Sequence, residues 1–210
     1  CQDVQAEAYD YPESFFAKKT WRFRRPEPDV VEFEAAVAAL KAAKNPVIVA
    51  GGGVHFAGAT DTLKAFVEKH QIPVVETQAG KSALAWDHGL NFGPVGVTGA
   101  ESANVVSEKA DLVIGVGTRF QDFTTGSWAL FKNPDRKILA LNVQPYDSAK
   151  HDAIPLVADA KIGLEKLSAV LGDHKFAAPD TGLKASWFAK ADAVTAAPTD
   201  SNALPTDMQV

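Results

Sequence analysis

The chain has 210 residues, 46% hydrophobic and 22% charged, values that fit one large folded domain with flanking segments and exclude extended disorder. Its 21 Lys and Arg against 26 Asp and Glu leave a net charge of −5, which argues against a nucleic-acid partner. The longest apolar run of the first half, Pro46 to Ala50, is far too short to cross a membrane, and the single cysteine, Cys1, excludes an internal disulfide framework and a Cys-based zinc site. One cysteine fits a reducing, cytoplasmic setting, and Cys1 without an initiator Met or apolar leader reads as the start of a piece of a longer chain.

Residues 1–28 show no sustained period and close on Arg24-Arg25-Pro26-Glu27-Pro28, the composition of an interdomain linker. Lys18, Lys19, Arg22, Arg24 and Arg25 interleave with Trp21 and Phe23 as in a single-stranded nucleic-acid groove, but in an acidic chain a segment packed on a neighbouring domain is the stronger reading. Asp29 with Glu32 makes a box-like helix start, and Val30, Phe33, Val37 and Leu40 recur at helical spacing up to Asn45-Pro46. Val47 to Ala50 is continuous and β-branched, the pattern of a parallel strand covered on both faces, and it runs into Gly51-Gly52-Gly53. Thr60 is a candidate N-cap for a helix carrying Leu63, Phe66 and Val67, and a second strand follows at Pro73 to Glu76.

A third strand is expected within Leu90 to Val97, then a capping box of Thr98 and Glu101 opening a helix through Ala103, Val106 and Ala110. Asp111 to Gly115, Lys137 to Val143 and Ile154 to Val157 read as strands, and Asp159 as the cap of a helix with Ala160, Leu164, Leu167 and Leu171 on one stripe. Strand-helix-strand units of this kind predict a doubly wound α/β domain over residues 29–172: a mostly parallel, Rossmann-like sheet of five or six strands with helices on both faces. The strands ending at Ala50 and Gly115 should lie side by side where the sheet reverses its growth. Residues 173–210, with Pro179, Pro198 and Pro205 and one helix from Leu183 to Val194, predict a linker towards a further domain.

Glycine-rich strand-to-helix turns let backbone amides approach a phosphate. Gly51-x-Gly53-x-x-Phe56 and Gly115-x-Gly117-x-x-Phe120 each carry two of the three glycines of a dinucleotide fingerprint, so tight turns needed only for packing are an equal alternative. Gly52, Gly53, Gly117 and Arg119 are the candidate phosphate- or nucleotide-binding residues of one crevice; a salt bridge from Arg119 to Asp122 is the competing role. Ala79-Gly80-Lys81-Ser82 ends like a P-loop, but Val75 stands where its first glycine is required. His55, His70, His88, His151 and His174 have no metal-ligand spacing, Ser82, Ser102 and Ser127 lack a nucleophile elbow, and Asp147, Asp152 and Asp159 cannot be given acid and base roles.

Pro46-Val-Ile-Val-Ala-Gly-Gly-Gly53, Ala110-Asp-Leu-Val-Ile-Gly-Val-Gly-Thr-Arg-Phe120 and Leu141-Asn-Val-Gln-Pro145, followed by Val157-Ala-Asp-Ala-Lys161, resemble in order and spacing the central domain of thiamine diphosphate enzymes related to acetolactate synthase. Phe120-Gln-Asp-Phe-Thr-Thr-Gly-Ser-Trp-Ala-Leu-Phe131 and Gln5-Ala-Glu-Ala-Tyr-Asp-Tyr-Pro12 are most similar to the hydrolases of inositol catabolism within that family. The resemblance implies a non-catalytic scaffold domain whose partners are two further domains of the same chain, in a dimeric or tetrameric parent that opens a cyclic 1,2-diketone with thiamine diphosphate and Mg2+. Those groups would be held outside this chain, and Gly172-Asp173-His174 does not match the metal motif.

Some relatives hold flavin adenine dinucleotide in the crevice. Where acetolactate synthases read Arg-Phe-Asp-Asp-Arg this chain reads Arg119-Phe-Gln-Asp-Phe123, and Asn142-Val143-Gln144 replaces an Asp-Ile-Asp strand end, so FAD is not expected here. Two other classes share the architecture: a free-standing nucleotide-binding module, which leaves the tail unexplained, and a sirtuin-like deacylase, whose zinc module needs four cysteines.

Overall fold

In the computed structural model, which describes residues 2–197 and 204–209, six strands form one all-parallel sheet: β1 (Pro46–Ala50), β2 (Val74–Glu76), β3 (Asn91–Pro94), β4 (Leu112–Val116), β5 (Lys137–Asn142) and β6 (Ile154–Val157). Their order is β3-β2-β1-β4-β5-β6. The chain therefore builds outwards from β1 in one direction, returns, and builds outwards from β4 in the other, which is the doubly wound arrangement. β1 and β4 are direct parallel neighbours, with Val49 opposite Gly115 and Ala50 opposite Val116, as the sequence predicts. β3 is the shortest fit to its prediction, four residues joined to β2 through an irregular register.

The helices are α1 (Gln2–Ala6), α2 (Val30–Ala42), α3 (Gly53–Phe56), α4 (Thr60–His70), α5 (Glu101–Glu108), α6 (Asp122–Thr125), α7 (Pro145–Ala149), α8 (Ala160–Leu171) and α9 (Gly182–Thr195). Because successive strand residues face opposite sides, β1 splits its side chains between two cores. Ile48 and Ala50 join Ile114, Leu139 and Leu141 under α2, α4 and α8, while Val47 and Val49 join Val75, Val113 and Ala140 under α5, with Leu183 and Trp187 of α9 packed beside them. Both faces are covered, which is why β1 and β4 are buried at every position and carry no polar side chain. Among the described residues no helix is long and apolar enough to cross a membrane.

Local signals held unevenly. Asp29 caps α2 by accepting from the amides of Val31 and Glu32 (2.8 and 3.3 Å), but Glu32 does not complete the box. Its carboxylate instead accepts from the amide of Val157 at 2.8 Å and ties α2 to β6. Val30 is exposed; the buried stripe of α2 is Ala36, Ala39 and Leu40. Thr60 is the first residue of α4 rather than its cap, since Ala59 supplies the first helical carbonyl and no side chain caps the end. Thr98 likewise stays in the turn between Gly96 and Gly99, and α5 starts at Glu101 behind Ala100. Asp159 caps α8 as expected, and its stripe Ala160, Leu164, Leu167 and Leu171 is buried.

The expected linkers contain short structure. Tyr9, Tyr11, Phe15, Phe16, Trp21 and Phe23 stand exposed, and the segment meets the core at Arg25, which donates to Asp159 (2.7 Å) and to the carbonyl of Ala57 (2.8 Å). Cys1, Pro198 and the rest of 198–203, and Val210 lie outside the described residues. His70 is wholly buried on α4; its Nδ1 donates to the carbonyl of His174 (2.7 Å) and its Nε2 accepts from Ser168 (3.2 Å), clasping the end of α8 and the chain beyond it.

Candidate ligand crevice at the switch point

Beyond the carboxyl ends of β1 and β4 the chain continues towards β2 on one side and β5 on the other, because the sheet grows outwards from this pair in both directions. A cavity of about 1100 Å³, large enough for a small organic ligand, opens at this end of the sheet and is lined by the segments that follow β1, β2, β3 and β4. Both predicted glycine turns reach it, and their glycines do different things.

Gly51 and Gly53 prolong the β1–β4 pairing past the strands, and Gly117 prolongs the β4–β5 pairing. The amide of Gly51 donates to Val116 (2.9 Å), that of Gly53 to Gly117 (3.0 Å) and that of Gly117 to Leu141 (2.8 Å). A Cβ on Gly53 would stand 2.5 Å from the Cα of Gly117; one on Gly51 would stand 2.7 Å from the Cα of Thr118, with the Gly117 carbonyl oxygen closer still. Gly117 also has φ +62°, a conformation that favours glycine. Backbone against backbone is the reason for these three, and the amides of Gly53 and Gly117 are already engaged. Gly52 is different: it lines the cavity, and a Cβ there would meet only Ala79, at 3.3 Å.

The two partial fingerprints part company at their third position. Phe56 is 89% exposed beside the cavity, whereas Phe120 is buried, its ring lying where a Cβ on Gly115 would stand. Gly115 thus makes room for an aromatic ring in the core. Arg119 lines the cavity and makes no salt bridge to Asp122, whose carboxylate accepts from Ser127 at 2.7 Å. Its guanidinium faces Gln121, and with the Gln121 amide oxygen turned towards it Nε donates at 3.0 Å.

Sequence reasoning missed the opposite wall. Glu76, the last residue of β2, is 5% exposed and lines the cavity; one carboxylate oxygen accepts from the amide of Leu84 at 3.1 Å. The P-loop-like segment next to it forms a single 3₁₀ turn, Gln78–Gly80, with Gly80 pressed against the end of β1: a Cβ there would stand 2.7 Å from the carbonyl carbon of Ala50. No phosphate loop forms, yet Lys81 still lines the cavity. Trp86 and Phe123 stand exposed at the rim. From the C-terminal segment, Phe188 packs edge-on to Trp86 at 5.6 Å, and Lys184 donates to the carbonyls of Trp86 and His88 (2.9 and 2.7 Å). Burial there pushes the Lys184 ammonium below its ordinary pKa. Asn142, at the end of β5, is committed to the framework, donating to the carbonyl of Thr118 at 3.0 Å.

The remaining candidates take structural roles. Asp147 pairs with Lys150 (2.7 Å) and Asp159 caps α8. Among the described residues no three His, Cys, Asp or Glu side chains gather as a metal site. Gly172 ends α8 with φ +57°, and the amide of His174 donates back to Leu171 at 3.0 Å, so Gly172-Asp173-His174 is a helix stop.

Residues 33–167 match the family described as thiamine pyrophosphate enzyme, central domain. Among curated proteins, the chain is 49% identical over 167 residues to the 3D-(3,5/4)-trihydroxycyclohexane-1,2-dione hydrolase of Clostridium tetani, covering 80% of this chain and 26% of that protein. It is 49% identical over 173 residues to the same-named hydrolase of Geobacillus thermodenitrificans (82% and 27%), and 44% identical over 193 residues to that of Bacillus licheniformis (91% and 30%). The chain spans between a quarter and a third of the length of these relatives. A switch-point crevice on an all-parallel sheet and a match across most of that sheet lead to one conclusion: the chain belongs to the family of thiamine pyrophosphate enzyme central domains.

Proposed function

We propose that this chain is the non-catalytic central domain, residues 29–172 with linkers 1–28 and 173–210, of a thiamine diphosphate- and Mg2+-dependent hydrolase that opens a cyclic 1,2-diketone in inositol catabolism. The observation that carries the reading is 49% identity over four fifths of the chain to proteins named as such hydrolases. The domain acts as scaffold. Its sheet holds a rigid body between two flanking segments, and the exposed aromatics of residues 9–23 supply apolar surface for the other domains of the parent. The parent is read as a cytoplasmic dimer or tetramer, without nucleic-acid or membrane partners.

Within the chain, the turn at Gly52, Gly53 and Gly117 with Arg119 would hold a phosphate loosely, through the Gly52 backbone and the Arg119 guanidinium, because the amides of Gly53 and Gly117 are engaged elsewhere. Tightly bound FAD is not expected. The test is a pair of proteins: the parent-length enzyme assayed for ring opening of trihydroxycyclohexane-1,2-dione with thiamine diphosphate and Mg2+, and this 210-residue chain titrated with both. Ring opening by the parent and a flat titration of the chain are expected. An inactive, fully loaded parent would refute the activity, and micromolar thiamine diphosphate binding by the chain alone would refute the scaffold role.

A further inference from the structure

We propose that Glu76 makes the crevice a recognition site for vicinal hydroxyl groups on a ring. Glu76 is 5% exposed as a residue, and one of its carboxylate oxygens is occupied by the Leu84 amide. The other has no hydrogen-bond or ion-pair partner among the described residues, and it is not among the polar atoms sealed from solvent. Glu76 lines the cavity, so a ligand there can bring a donor to the carboxylate whose second oxygen no described residue uses. That oxygen offers two lone-pair directions, which suits hydroxyls on adjacent carbons.

The surroundings select against a cation. Lys81 and Arg119 line the same cavity, so an ammonium or metal ion would meet two positive side chains, while Asp147 is already paired with Lys150. A neutral or anionic ligand that donates through hydroxyls meets no such penalty. Trp86, Phe56 and Phe123 give the rim flat apolar faces for a ring. The placement agrees with a general rule for such sheets: Glu76 ends the strand beside β1, opposite Ala50 and 23 residues beyond Gly53, where an acid can accept from the hydroxyls of a ribose. Two sources carry this chemistry, the ribose of a nucleoside and a free cyclic polyol. The inference concerns this cavity alone and stands whether or not the parent is a hydrolase.

The test titrates the chain calorimetrically with adenosine, with 2′,3′-dideoxyadenosine and with myo-inositol, in the wild type and in Glu76→Gln. The substitution is isosteric and keeps an oxygen for the Leu84 amide, and its melting curve checks the fold. Binding of adenosine or myo-inositol is expected, at least about tenfold weaker in Glu76→Gln, because a hydrogen bond to a charged acceptor is lost. Adenosine alone assigns the source to a nucleoside, and myo-inositol alone to a polyol. If adenosine binds, the dideoxy analogue should bind at least about tenfold more weakly to the wild type, a comparison that does not depend on the variant. Measurable binding of adenosine that its dideoxy analogue equals, unchanged affinity of the bound diol in Glu76→Gln, or no binding of either diol at 10 mM (about the weakest useful affinity) overturns the proposal.

Discussion

Replacing Gly51 by alanine separates a packing role for the glycine turns from a ligand role. The added methyl would stand 2.7 Å from the Cα of Thr118 and closer to the Gly117 carbonyl oxygen; both are backbone atoms that cannot swing aside. Relief requires the β1 and β4 loops to part, with overpacking costs of about 1–3 kcal/mol. The same movement strains the bonds from Gly51 to Val116 and from Gly53 to Gly117, worth about 1 kcal/mol each. The reduced entropy of the unfolded chain returns only about 0.4–1 kcal/mol. A net loss of about 3 kcal/mol follows, a large part of a typical domain stability of about 5–15 kcal/mol.

Gly52→Ala is the control, since its methyl would meet only Ala79 at 3.3 Å and its φ of −58° suits any residue; a change within about 1 kcal/mol is expected. Urea unfolding followed by far-UV circular dichroism measures both. A Gly51→Ala protein within about 1 kcal/mol of wild type, or a Gly52→Ala protein equally damaged, would refute the argument that backbone contact explains the motif.

Asp159→Ala should destabilise by about 2 kcal/mol, because α8 loses its cap and Arg25 its buried partner, while Asp159→Asn, which still caps, should lose less; urea midpoints decide, and equal losses would count against the cap. Burial holds the His70 pKa below its ordinary 6.5, with the His174 carbonyl opposing, so between that lowered value and 6.5 the unfolded chain binds more protons than the folded one. The stability this supplies is complete above pH 6.5 and is lost as pH falls through the folded value. The urea midpoint should therefore drop on acidification from pH 7.5 to 5 by more in wild type than in His70→Asn, and parallel profiles would contradict the assignment.

Much of the architecture was legible because its signals are local. The continuous apolar runs at Pro46–Ala50 and Leu112–Val116 can only be strands buried on both faces, and their alternation with helical stripes dictates parallel pairing and the switch point between them. The caps at Asp29 and Asp159 were equally readable, since an acceptor two and three residues ahead of its amides needs no distant partner. Thr60 and Thr98 carried the same signal and failed, because the chain entering α4 and α5 is set by Ala59 and by the Gly96–Gly99 turn.

What the tertiary structure alone decided is the division of labour within the crevice. Spacing could not tell that Gly53 and Gly117 face each other's backbone while Gly52 faces the cavity, nor that Phe56 is exposed and Phe120 buried under Gly115. Glu76 looked like the polar end of a strand, and Lys81 like a fragment of a failed P-loop. Only the parallel register that sets Glu76 beside Ala50, and the turn that presses Gly80 onto β1, bring a half-satisfied carboxylate, a lysine and Arg119 from three separate segments around one space. A site made of residues distant in sequence has no local period to betray it; its members are selected by where the strands end, which is a property of the sheet.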